Sequence, residues 1–384
     1  NRATLWIAWM VTMSLGSMFA GEVNATFNSP SDVPVTAADY SAAGNTVNLT
    51  LNFHPAPENP LMVVENTGLS FIKGSFTNLA QGQLVNLTHA GITYPYVANY
   101  FGGTGNDLVL QWQDIRAYGW GNNASGQIGT GSTGSGYVPM PVSVTGVLAG
   151  KTIVQISSGF YFSAAVCSDG TVATWGLNKS GQLGNNSTTD SSSPVNITNS
   201  GVLAGKSVVF VSAGYDHCLA LCSDGTVAAW GDGGNGQLGN NSTASSNVPV
   251  SVNTAGVLAG RKVVAISAGA NYSLALCSDG LPVSWGTGGF GNLGDGTIGR
   301  EAHVPVNVTA TGVLSGKKVT AISAGKNHAL ALCSDNTVVA WGSNNDGQTG
   351  GNSGSSPVLI NPLGVLAGKT VTSISAGDTH SIAL

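Results

Sequence analysis

Apolar and β-favouring residues come in short runs along this chain, separated by Gly, Ser, Asn and Asp. Lys262–Ser267 and Ser273–Cys277 are two such runs, Ser278-Asp279-Gly280 follows them, and Val283–Trp285 reads as the return strand. Glycine supplies the positive φ of a tight turn and aspartate bonds its own backbone, so this segment is expected to form a β-hairpin. A loop built on Gly291-Asn292-Leu293-Gly294 leads to Val304-Pro305-Val306-Asn307-Val308, a strand with proline near its entry, where a missing N–H is tolerable. No stretch keeps a helical period long enough to compete.

The pattern returns at a fixed interval. Trp-Gly pairs fall at Trp120, Trp175, Trp230, Trp285 and Trp341, steps of 55, 55, 55 and 56 residues. Gly-Val-Leu-x-Gly begins at Gly146, Gly201, Gly256, Gly312 and Gly364, and Cys-Ser-Asp at Cys167, Cys222, Cys277 and Cys333. Three markers in one phase define a repeat array. Four short strands cannot bury both faces of a sheet alone, so each unit must stack on its neighbours. Four-stranded units of roughly 40–55 residues predict the blades of a β-propeller, whereas β-solenoid repeats are shorter. The expected fold is all-β: a propeller of four-stranded blades with five repeat units visible, preceded by a β-rich segment.

One unit carries the whole motif: Ser212, Ala213, Gly214, His217, Ala220 and Leu221, then Ser223-Asp224-Gly225, then Trp230-Gly231 and Gly236-Gln237-Leu238-Gly239. This pattern resembles the regulator of chromosome condensation repeat, over about residues 114 to 384. The resemblance implies a propeller, of seven blades in the best-known members. It does not imply one function, because that fold serves nucleotide exchange, light sensing and protein inhibition alike.

Three regions are expected: 1–25, 26–113 and 114–384. In the first, Arg2 precedes an apolar run of signal-peptide length, and Val23-Asn24-Ala25 offers a small-residue cleavage site. Its Ser, Thr and Gly interruptions make it a poor permanent transmembrane span, and a buried first strand is the alternative to a cleaved leader. The chain lacks an initiator Met, which suggests a fragment cut near the true start. In the second region, Thr46–Phe53, Leu61–Glu65, Leu84–His89, Tyr96–Tyr100 and Leu108–Trp112 read as strands. Asn66–Gln83 followed by Tyr100–Trp112 resembles the passenger β-strand segments of bacterial autotransporter and surface proteins. In the third, Arg116–Trp120 aligns with the second strand of a hairpin and His380–Leu384 with a first strand. These halves would make one blade if the ring closes. Five units against seven blades favour truncation instead.

Composition narrows the function classes. Only 8% of residues are charged, against about 25% in ordinary domains, and 55 are glycine, so the polar surface must be Ser, Thr, Asn and Gly. A net charge of −5 with scattered lysines leaves no basic patch for nucleic acid.

The chemistry-bearing residues follow the repeat rather than a site. Gly146–Thr152 resembles a phosphate loop but has three residues between its glycines where four are needed, and a strand follows instead of a helix. A turn between blades is expected there. His217, His328 and His380 share one repeat position with Phe162 and Tyr272, which cannot bind metal, so the shared property is an aromatic ring packed inside a blade. Cys167, Cys222, Cys277 and Cys333 end strands. Cys218 and Cys222 would lie roughly 13 Å apart on one strand, too far to bridge, so buried free thiols are expected. Gly102–Leu110 fits one calcium-binding nonapeptide with Asp107 as ligand, but such sites need consecutive copies, and a Gly-Asn hairpin turn explains the same residues. Each tryptophan is expected to anchor a blade core. The Gly-Trp-Arg-His-Thr pattern of plant ultraviolet-B receptors, which resemble this fold, is absent. No catalytic triad or carboxylate pair stands out, and neither an enzyme nor a cofactor is expected.

The resulting expectation is a secreted or cell-surface bacterial scaffold that binds a protein or glycan, with the membrane involved only through an anchor outside this sequence. The alternative is an exchange factor for a small GTPase, which predicts a cytosolic or nuclear chain with basic tails. The framework repeats almost verbatim, whereas the two residues after each Ser-x-Gly differ: Phe160 and Tyr161, Tyr215 and Asp216, Ala270 and Asn271, Lys326 and Asn327, Asp378 and Thr379. They are expected on one face of the ring. The candidate binding residues are Phe160, Tyr161, Tyr215, Asp216, Asn271, Lys326 and Asp378, with the aromatics as anchors.

Overall fold

A computed structural model describes residues 21–56, 59–113, 117–351, 354–360 and 369–384. The N-terminal region contains β1 (Glu22–Phe27), β2 (Val35–Ala37), β3 (Thr46–Leu51), β4 (Leu61–Asn66), β5 (Leu84–His89), β6 (Ile92–Gly102) and β7 (Asp107–Trp112). Parallel β1 and β3 make a two-stranded sheet, and a five-stranded sheet has the order β2-β4-β7-β6-β5. Alternating inward residues, among them Phe27, Leu61, Phe76, Tyr96 and Leu110, form one core between them. β2 is a strand that the sequence pattern did not announce, and β1 overlaps the end of the stretch whose alternative reading is a buried first strand. The cleavage site expected at Val23-Asn24-Ala25 lies inside β1, where Ala25 and Phe27 are fully buried. The apolar run preceding Gly21 is outside the described residues.

Four complete four-stranded sheets follow, each a simple antiparallel meander of strands a, b, c and d. Strand a is Ile153–Ser158, Val208–Ala213, Val263–Ala268 and Val319–Ala324 in blades 1 to 4. Strand b is Phe162–Cys167, His217–Cys222, Tyr272–Cys277 and His328–Cys333. Strand c is Val172–Gly176, Val227–Gly231, Pro282–Gly288 and Val338–Gly342; strand d is Ser191–Asn196, Ser246–Ser251, Arg300–Asn307 and Gly354–Leu359. Strand b is buried almost throughout, strand c is buried in its first five residues, and strands a and d are partly exposed. That pattern belongs to blades stacked face to face on both sides.

Half-sheets flank the four. Tyr118–Gly121 pairs with Gly136–Pro141, a c–d pair, and Ile374–Ala376 pairs with Ser381–Ala383, an a–b pair. They are separate sheets and do not pair with each other to form a shared blade. Each Gly-Val-Leu segment that is described forms a short 3-10 turn between blades, with Leu148, Leu203, Leu258 and Leu314 buried beneath it. The copy beginning at Gly364 falls outside the described residues.

The blades are joined by bonds that repeat with the sequence. The indole N–H of Trp175, Trp230, Trp285 and Trp341 donates to the backbone carbonyl of Gln127, Gln182, Gln237 and Asn292 in the preceding unit, at 2.8–3.0 Å. The hydroxyls of Ser157, Ser212, Ser267 and Ser323 accept the N–H of Ala213, Ala268, Ala324 and Ala376 in the following unit, each at 2.9 Å. A buried indole N–H needs an acceptor, and here the neighbour provides it. The first tryptophan departs from this rule: Trp120 is 66% exposed, so it anchors no blade core.

The N-terminal sheets lie against the Ser-Asp-Gly end of the blades. Gln81 Nε2 donates to the Ser168 carbonyl at 3.2 Å, and Thr152 Oγ1 to the Gln113 carbonyl at 3.3 Å. Phe71 and Phe101, edge to face at 5.3 Å, pack on the core shared by blades 2 and 3.

Candidate partner-binding face

The register places the end of strand a, the start of b and the end of c together: Ser158 pairs with Ser163, and Phe162 with Gly176. The variable turn residues and the Gly-Gln-Leu-Gly loops therefore share one face, opposite the Ser-Asp-Gly turns. Glycine before each variable pair lets the blades converge, because a Cβ on Gly214 would run into the Gly269 carbonyl and the His217 ring. The closeness permits a backbone chain around the mouth. Phe160 N–H donates to Tyr215, Tyr215 to Ala270, Ala270 to Lys326 and Lys326 to Gly377, at 3.3–3.4 Å.

On this rim the aromatic residues meet. Phe160 stacks on Tyr215 with centroids 4.6 Å apart and meets Tyr161 edge-on at 4.4 Å. Phe160 is 51% and Tyr161 37% exposed, so the cluster faces solvent. Tyr215 donates its hydroxyl to Asp378 Oδ2 at 2.9 Å, which ties blade 2 to the trailing half-sheet. Its phenol pKa is pushed up to about 12, first by burial and then by the Asp378 carboxylate. Lys326 Nζ stands 5.8 Å from the Tyr215 centroid, a cation over a ring.

Of the seven residues singled out by sequence, Phe160, Tyr215, Lys326 and Asp378 line one concavity at the mouth, and Tyr161 borders it through Phe160. The other two do not line it. Asp216 is half-buried and accepts from Gln182 Nε2 at 3.0 Å; burial, followed by the nearby Asp232 charge, raises its pKa. Asn271 is half-buried, and its backbone carbonyl accepts the Thr287 N–H at 2.9 Å. Asp232 was not singled out, although its place directly after Trp230-Gly231, at the start of the loop on this face, was a readable signal.

Other candidate positions are structural. His217 Nε2 meets Ser273 Oγ at 3.0 Å and His328 Nε2 meets Ser381 Oγ at 2.9 Å, each bridging to the next unit. Burial pulls the His217 pKa down to about 4 and keeps the ring neutral. Phe162 and Tyr272 are buried at the same position. All five cysteines are buried and free. Asp107 accepts the Asn66 and Thr104 N–H groups, each at 2.8 Å, and so closes the β6–β7 hairpin turn.

Residues 102–384 match the family model described as the RCC1-like domain. The chain is 32% identical to the human E3 ubiquitin-protein ligase HERC2 over 270 residues, 69% of this chain and 5% of that protein. It is 30% identical to the Arabidopsis thaliana ultraviolet-B receptor UVR8 over 283 residues, 73% of this chain and 61% of the receptor. It therefore spans less than two thirds of either relative. Among solved structures, yeast RCC1 (Prp20) bound to Kap60 is similar with a TM-score of 0.59 and 25% identity, covering 70% of this chain and 63% of that one. A separate yeast Prp20p structure, described with its binding to Gsp1p and histones, aligns with a TM-score of 0.58 and 26% identity, over the same shares of both chains.

Proposed function

This chain belongs to the family of RCC1-like domains, and on that premise we propose that it is a protein-binding propeller whose recognition surface is the turn face centred on Phe160, Tyr161 and Tyr215. The observation that carries the reading is the preorganised aromatic cluster, exposed at one mouth while the N-terminal sheets cover the opposite end of the blades. Rigid aromatic side chains are the usual anchors of protein interfaces, because they bury much area at small entropic cost. Protein partners of the relatives, such as Kap60 for yeast RCC1, support a protein ligand over a glycan. A partner captured on the immobilised chain should lose most of its affinity on Tyr161→Ala or Tyr215→Ala while the melting temperature holds. Unchanged capture by both variants would move the site away from this face.

Similarity to yeast RCC1 favours a second reading, a regulator that engages a small GTPase as an exchange factor, for which accelerated nucleotide release is the assay. We place the chain outside a bacterial cell. Support comes from the signal-like apolar run, the uncharged Ser/Thr/Asn surface and the passenger-like stretches Asn66–Gln83 and Tyr100–Trp112. Because β1 is a paired strand with Ala25 and Phe27 buried, the mature chain is expected to begin at or before Glu22. Mass spectrometry of the secreted N-terminus checks this, and a chain starting at Thr26, or one that keeps the apolar run, would oppose it.

A further inference from the structure

The few charges of the propeller sort onto its two faces by sign. On the Ser-Asp-Gly face every turn aspartate has a cation: Asp169 with Lys151 at 2.9 Å, Asp224 with Lys206 at 2.8 Å, Asp279 with Arg261 at 2.8 Å, and Asp335 with Lys317. Lys262 and Lys318 stand beside Gly225 and Gly280 on the same face and add positive charge. The turn face is the reverse. Two pairs, Lys179–Asp190 at 3.7 Å and Arg300–Asp295 at 3.3 Å, neutralise themselves. Glu301 lies 3.4 Å from His303, whereas Asp216, Asp232, Asp346 and Asp378 at this end of their units have no ion-pair partner among the described residues, and Lys326 is the one Lys or Arg there outside an ion pair. Asp378 reaches the aromatic cluster through the Tyr215 hydroxyl at 2.9 Å, and the same ring already carries a cation, since Lys326 stands over Tyr215.

From this arrangement, and resting on the reading of the turn face as the recognition surface, we propose that the partner presents a basic segment. An arginine guanidinium lies on the Phe160–Tyr161 rings, and the Asp378 carboxylate at the same mouth is its counter-charge. Guanidinium is planar and weakly hydrated, so it stacks on an aromatic face and reaches a carboxylate in the same pose, which an ammonium does less well. The remaining carboxylates at this end of the blades steer the basic segment toward the turn face. Lys326 competes with the incoming cation for the Tyr215 ring and for Asp378.

The test is fluorescence anisotropy of labelled hexa-arginine, hexa-lysine and hexa-glutamate peptides against the full chain. Hexa-arginine should bind more tightly than hexa-lysine, and hexa-glutamate should not bind. The hexa-arginine affinity should fall about tenfold between low salt and ~0.3 M salt as the charges are screened. Asp378→Asn and Phe160→Ala should each weaken it several-fold, Lys326→Gln should strengthen it, and Asp224→Asn on the opposite face should change nothing. Binding that Asp378→Asn leaves intact, or equal affinity for all three peptides, would overturn the inference. A captured protein that needs Tyr161 and Tyr215 while hexa-arginine fails to bind would also overturn it, yet leave the turn face as the recognition surface. Hexa-arginine binding indifferent to both Phe160→Ala and Asp378→Asn would count against the peptide using this face at all.

Discussion

Trp230 and Trp120 hold the same place in the repeat, at the same distance from the next Trp-Gly pair, but they live in different surroundings. Trp230 sits in a complete blade, fully buried, with its indole N–H on the Gln182 carbonyl of the unit before it. Trp120 belongs to the leading half-sheet, which has strands c and d but no a–b hairpin, and it stays 66% exposed. The trailing half-sheet shows the same contrast from the other side. Ile382 is 61% exposed, while Leu219, Leu274 and Leu330 at its repeat position are buried. A residue's role in this array therefore depends less on its own unit than on what the neighbouring units bring, as expected when stability is a sum of units and interfaces.

The largest expected effect tests that contrast directly. Trp230→Ala should destabilise by roughly 3–5 kcal/mol in chemical denaturation, because it opens a cavity between packed blades. Trp120→Ala should stay within about 0.5 kcal/mol, as exposed substitutions do. Equal losses would mean that Trp120 is buried by something that the half-sheet contacts in solution.

A smaller effect concerns the histidine that bridges blades 2 and 3. The folded state holds His217 neutral with a pKa near 4, below its ordinary 6.5, because burial penalises the imidazolium. The sign follows from linkage: stability present above pH 6.5 is lost as the pH falls toward 4, since the unfolded chain takes up the proton first. The loss should be on the order of 2–3 kcal/mol across that window. His217→Phe should cost about 1 kcal/mol at neutral pH, since Ser273 keeps its bond to the Gln237 carbonyl, and it should flatten the acid slope. An unchanged slope would assign the acid sensitivity to another group.

Much of the fold was legible because its signals are local. Strand b of blade 3 is Tyr272–Cys277, one residue longer than the expected run, and Leu84–His89 agrees at both ends. Those bounds follow from turn chemistry at Ser-Asp-Gly and from β-branched and apolar runs, which act within a few residues. A first strand at β1 ranked only second because Glu22–Phe27 reads as the tail of an apolar leader, and its partner β3 lies 24 residues further on. The variable pairs were visible as departures from the repeat, and their sharing of a face followed from their place at the same turn of each unit. The sequence could not say that Phe160 would stack on Tyr215 and Tyr215 bond Asp378 while Asp216 bonded Gln182.

What the sequence determined by itself is the unit: four strands, their turns, the buried aromatic position, and an interval of 55 or 56 residues. Tertiary structure decided which tryptophan is covered, which face the N-terminal sheets close, and which charges remain unpaired around the mouth. The physical reason is distance along the chain. Phe160 and Tyr215 are 55 residues apart, and Tyr215 and Asp378 are 163. No local preference reaches that far, and only the stacking of blades brings those side chains within van der Waals and hydrogen-bonding range.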